Sequence, residues 1–102
     1  MENEIIKIVK KPKCETYILN KIAEKEEKNN NLYLRSLIAI HKNCSYSFLQ
    51  KYSRDKSPII RTNVVKNKGI SKNFLEKMKK YETNLDILFE IEKKIKGVSI
   101  GR

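Results

Sequence analysis

Leu34-Arg35-Ser36-Leu37-Ile38-Ala39 is followed by Ser45, Phe48, Leu49, Lys51 and Tyr52. Twenty-six residues further on, Ile60-Arg61-Thr62-Asn63-Val64-Val65 is followed by Ser71, Phe74, Leu75, Lys77 and Met78. Self-similarity at a fixed period of this length marks stacked helical repeats, because each unit has an apolar face that only a neighbouring unit can cover. Such stacks bind along a surface and seldom carry a compact catalytic site. The pattern predicts an all-α fold, a small helical-repeat stack of about six to seven short helices, in one domain over residues 1–102.

Composition agrees with that fold class. Hydrophobic residues make up 39% of the chain, carried by Ile and Leu, and there are only three Gly and two Pro. Sheet sandwiches need more of both for their turns. Upstream of the repeat, Ile5, Ile6, Ile8 and Val9 suit one face of a short helix over residues 2–10, or an edge strand, ended by Pro12. A firmer helix follows from Cys14 to about Lys28, with Ile18, Leu19, Ile22 and Ala23 as its stripe. Asn29-Asn30-Asn31 breaks it and offers caps to the next helix.

Leu32 to Lys42 is apolar nearly all round, which predicts the most buried helix. Ser45 caps a helix with Phe48, Leu49 and Tyr52 inward. Ser57-Pro58 opens another, which Gly69 stops, and Ser71 caps the stripe Ile70, Phe74, Leu75 and Met78. Thr83-Asn84-Leu85-Asp86 has capping-box spacing for a last helix running to Ile95 and ending at Gly97. No element is assigned to residues 98–102. The repeat-like units are thus expected at about 14–31, 32–56 and 57–82, with a C-terminal capping helix at 83–97.

The stretch Ile60-Arg61-Thr62-Asn63-Val64-Val65-Lys66-Asn67 resembles the "VRxAVAxN" segment of leucine-rich-repeat-variant and HEAT-like helical-repeat proteins. Asp55 stands six residues before Arg61, as an acid does before the arginine in those families. The resemblance covers residues 14–81 and implies that Asp55 and Arg61 tie successive units together. Arg35 would act likewise in the preceding unit, where Asn29 stands in place of the acid. The last unit departs from the pattern, with Ile87 standing 26 residues after Arg61.

Charge is distributed unevenly. Lys and Arg number 23 against 12 Asp and Glu, for a formal net charge of +11. Residues 42–80 hold eleven of the basic side chains, opposed only by Asp55 and Glu76. Repeats stacked in register would align Lys51, Arg54, Lys56, Lys66, Lys68, Lys72, Lys79 and Lys80 along one edge. Lys ammonium groups in such a stripe suit phosphates as point charges, independent of base sequence. Tyr46 and Tyr81 are the best placed aromatics for base stacking, although either suits the core equally well. The alternatives are a Lys-rich solvated surface and a surface that meets an acidic protein.

Catalytic and metal chemistry find little support. His41 is the only histidine, so a multi-histidine metal site is excluded, and its place at a helix end suits a C-terminal or packing role. Cys14 and Cys44 are the only cysteines, with no CxxC spacing, which predicts reduced thiols and no zinc site. A Cys44–His41 nucleophile lacks an orienting third group. With three glycines no phosphate-cradling loop of the Walker or dinucleotide type can be built. Glu2 and Glu4 argue against a targeting segment, and the apolar run Leu37-Ile38-Ala39-Ile40 is far short of a membrane span. The expectation is a cytoplasmic, non-enzymatic binding module without cofactor, metal or membrane contact. Its basic edge would contact RNA, DNA or a nucleoprotein. The alternative is a protein–protein adaptor or small inhibitor of a nucleic-acid-handling enzyme, of the kind phages and mobile elements encode.

Overall fold

Short polar side chains set where most helices begin. Asn3 accepts the Ile6 N–H at 2.9 Å, Asn31 that of Leu34 at 3.0 Å, and Ser45 that of Phe48 at 3.3 Å. Ser71 accepts from Phe74 at 3.0 Å and Asn84 from Ile87 at 3.2 Å. Each supplies an acceptor that the first helical turn lacks. The computed structural model describes residues 3–97, and seven α-helices and no strand occur among them. They are α1 (Glu4–Lys10), α2 (Thr16–Glu26), α3 (Leu32–Ile40), α4 (Tyr46–Tyr52), α5 (Pro58–Lys66), α6 (Lys72–Lys79) and α7 (Leu85–Ile95). A single 3₁₀ turn, Glu27–Asn29, extends α2. The tail at 98–102 lies outside the described residues.

Helices α1, α3, α5 and α7 pack on one another in that order, with α4 against both α3 and α5, α2 against α3, and α6 against α7. The chain is therefore a stack of hairpins α1–α2, α3–α4 and α5–α6, closed by α7. Because α1 packs on α3 as α3 packs on α5, the first hairpin starts at α1, upstream of residue 14. The N-terminal segment is helical, with Ile6 and Val9 buried. The core runs through both rows and includes Leu19, Leu34, Ile38, Ile60, Val64, Leu75, Met78 and Ile91, each at most 2% exposed.

Two local expectations are corrected. Helix α3 buries Leu34, Ile38 and Ala39, but Leu32, Tyr33 and Ile40 are more than two-fifths exposed. Its apolar circumference exceeds what its neighbours cover, because one side of its row faces solvent. The last helix is capped by Asn84 and not Thr83: the Glu82 carboxylate takes the Thr83 and Asn84 amides at 3.2 and 3.0 Å, which moves the helix start one residue on.

Polar side chains join the units twice over. At the carboxyl ends of α1, α3 and α5, a donor from the next unit caps the open carbonyls. His41 Nε2 meets Lys11 O at 2.8 Å, Asn67 Nδ2 donates to Ala39 O and His41 O at 2.8 Å each, and Lys94 Nζ donates to Val65 O and Asn67 O at 2.6 and 2.8 Å. A carbonyl can only accept, so the His41 proton sits on Nε2, and Nδ1 accepts the Asn43 N–H at 3.0 Å. Burial draws the Lys94 ammonium pKa below its ordinary value.

Arginine–carboxylate latches form the second set. Arg35 Nε donates to Asp55 Oδ2 at 3.1 Å, and Arg61 binds both oxygens of Glu82 at 2.9 and 3.2 Å. Arg61 also donates to the main-chain carbonyls of Asp55 and Lys56 at 2.8 and 3.2 Å. The residue six before Arg61 thus contributes its backbone to that arginine, while its carboxylate serves Arg35 of the unit before. In the earlier unit Arg35 reaches the Asn30 side chain at 2.7 Å. Asn30 itself takes the left-handed conformation at φ 50° that ends the 3₁₀ turn.

Candidate nucleic-acid interface

The 26-residue offset that relates α3–α4 to α5–α6 places Lys51 of α4 and Lys77 of α6 at equivalent positions. Between these two helices lies an open groove of about 420 Å³. Lys51, Arg54 and Lys77 supply its charge, with Gln50 beside them, and Tyr46, Phe74 and Tyr81 supply its aromatic surface. No carboxylate lines it. Phe74 is buried and forms the floor, with its ring edge-to-face to Tyr46 at 5.5 Å and 89°. Tyr46 opens α4, where its ring projects half into solvent. The Arg54 guanidinium lies 3.8 Å from the centre of the Tyr81 ring, and the Tyr81 hydroxyl bonds Ser53 Oγ at 2.8 Å. Ring and hydroxyl contacts together hold the guanidinium in place, which limits the entropy lost when it meets an anion.

The neighbouring groove between α2 and α4, about 450 Å³, is of mixed sign, because Glu26, Glu27 and Asp55 line it along with Arg35, Lys51 and Lys56. Lys51 stands on the ridge between the two grooves and pairs with Glu27. With three charges of each sign, the α2–α4 side offers a polyanion no net attraction, whereas the α4–α6 side attracts it.

The other basic residues are placed elsewhere. Lys66 and Lys68 line a third cavity of about 420 Å³ with Lys10 and Lys42, against Leu37 and Ile40. That cavity adjoins the turn within each hairpin, whereas Arg54 and Lys56 occupy the turn between hairpins. The two kinds of turn lie at opposite ends of α5, which rises about 13 Å over nine residues. The eight basic residues do not converge on one edge; they divide between the two ends of the hairpins. Lys72 and Lys80 are exposed at the start and end of α6. Lys79 is taken up by Glu92 at 2.8 Å and Glu76 at 3.6 Å, and the hydrogen bond to Glu92 raises its pKa. It is a structural pair more than a free cation. Lys77 and Phe74 join the site, although composition alone counts Lys77 only in the general charge and the apolar stripe counts Phe74 only in the core. The repeat register was the signal for both, since it aligns Lys77 with Lys51 and Phe74 with Phe48.

Neither thiol is activated. Burial pushes the Cys44 thiol up to about 12, and its Sγ points to the Ser45 carbonyl at 3.7 Å. Burial raises the Cys14 thiol as well, with a further push from Glu15. Both His41 nitrogens are occupied by backbone groups, so the ring has no free nitrogen to serve Cys44. Among the described residues no group of three or more His, Cys, Asp or Glu side chains is placed to hold a metal ion. No helix among them is long and apolar enough to cross a membrane. The arrangement on α4 and α6 suits attraction of a polyanion and stacking of a flat ring. Comparison with protein-family models, curated proteins and solved structures finds no match to this chain.

Proposed function

We propose that this protein is a non-enzymatic nucleic-acid-binding module that acts through the α4–α6 groove. The carrying observation is the joint presence of Lys51, Arg54 and Lys77 with Tyr46, Phe74 and Tyr81, in a groove that no carboxylate lines. Cations supply sequence-independent attraction to phosphate, and aromatic rings give bases a surface, a pairing that recurs in nucleic-acid grooves. The recurring hairpins, cross-unit donors and arginine latches support reading the scaffold as a HEAT-like or leucine-rich-repeat-variant-like stack. The two free, buried cysteines support a reducing compartment such as the cytoplasm.

The test is binding of labelled RNA and DNA by fluorescence anisotropy across a salt series, for the wild type and the double variant Arg54→Glu/Lys77→Glu. Three phosphate contacts predict a log–log salt slope of about −2 to −3. The double variant should lose binding by tenfold or more while its far-ultraviolet circular dichroism stays unchanged. Binding that ignores salt, or a charge-reversed variant that binds like the wild type, overturns the proposal.

A further inference from the structure

We infer that the α4–α6 groove takes a single strand, with an unpaired base stacked on Tyr46 and adjacent phosphates on Arg54 and Lys77. This narrows the nucleic-acid reading and rests on it. Charge alone does not explain the aromatic content, since phosphate contacts need none. Tyr46 is 53% exposed although Phe74 contacts it edge-to-face. A ring with that much surface in solvent and one such contact keeps a π-face for an incoming base. Arg54, whose guanidinium carbon lies over the Tyr81 ring at 3.8 Å from its centre, adds a planar group that carries charge. In a duplex every interior base face is covered by its neighbour. Tyr46 could then stack only after a step is opened, which costs the stacking and pairing of that step. Three cations, one of them shared with Glu27, offer little to offset that cost. A duplex also calls for cations in line along one surface, and Lys66 and Lys68 lie in a different cavity. An unpaired strand needs neither opening nor a long stripe.

The test compares four probes by anisotropy and competition, each at the same total concentration of negative charge: an oligouridylate and an oligothymidylate of about 12 nucleotides, within the site sizes of single-strand binders, a duplex of the same length, and polyglutamate. One or both single strands should bind at least tenfold more tightly than the duplex. Tyr46→Ala should weaken single-strand binding on the order of tenfold, the loss of one stacked base, and Tyr46→Phe should retain it. Lys77→Ala, an exposed change that leaves every ring in place, should flatten the single-strand salt slope by about 0.7. A duplex bound as tightly as the single strands, or Tyr46→Ala without effect in a folded protein, overturns the single-strand inference and leaves the nucleic-acid reading standing. If polyglutamate displaces the oligonucleotides as well as they displace each other, or if no nucleic acid binds, both readings fall.

Discussion

Replacing Arg61 by Met should be among the most damaging single changes in this chain, and clearly worse than the same change at Arg35. The two arginines hold equivalent positions but different partners. The Glu82 side chain is 1% exposed and meets Arg61 through two hydrogen bonds, whereas the Asp55 side chain is 14% exposed and meets Arg35 through one. Removing Arg61 strands a buried carboxylate and leaves the Asp55 and Lys56 carbonyls without that donor. Breaking a buried pair from one side costs about 3–5 kcal/mol. Glu82 keeps the Thr83 and Asn84 amides, which places Arg61→Met near the lower end, at about 3 kcal/mol. Asp55 is closer to water and keeps the Ser57 amide at 2.9 Å, so Arg35→Met should cost about 1 kcal/mol. With a urea dependence of about 1 kcal/mol per molar, the midpoints should fall by about 3 M and 1 M. Adding Glu82→Gln to Arg61→Met removes the stranded charge and should recover about 1 kcal/mol. Equal losses for the two arginine variants, or a double variant no more stable than Arg61→Met, would refute the latch energetics.

The cross-unit donors and the surface pair give further expectations. Asn67→Ala removes two bonds to the α3 carbonyls and one to the Gly69 amide, in a side chain that is fully buried. At about 2–3 kcal/mol it should lower the melting temperature by about 10 °C or more in a thermal scan. Glu92 is held below its ordinary carboxyl pKa of 4.5, first by the Lys79 hydrogen bond and then by that ammonium's charge. A depressed folded value adds stability that is present above 4.5 and lost as pH falls through the lowered value. Glu92→Gln should therefore lower the urea midpoint near neutrality, and the gap to the wild type should close in acid.

Helix number and caps were legible because they depend on local chemistry. Ser45 and Ser71 cap where their spacing to Phe48 and Phe74 says they should, and the apolar stripes of α4 and α6 turn inward. The donor ladder was not legible, because His41, Asn67 and Lys94 share a register but no chemistry. Only the fold reveals that each faces the carbonyls of the helix before it. The latch was half legible. Arg35 and Arg61 stand out in the repeat, but their carboxylates lie 20 and 21 residues downstream and differ in kind. The basic residues misled for a topological reason. A hairpin stack sends the turns within hairpins to one end and those between hairpins to the other, so neighbouring lysines in sequence part company in space. What remained together was the pair in strict register, Lys51 and Lys77, with the aromatics between them.

Mapping backbone amide shifts while an oligouridylate is titrated into the labelled protein tests the interface most directly. The largest changes should fall at Tyr46, Gln50, Lys51, Arg54, Lys77 and Tyr81, and α1 and α7 should stay silent. Changes centred on Lys10, Lys42, Lys66 and Lys68, or no changes at all, would contradict it.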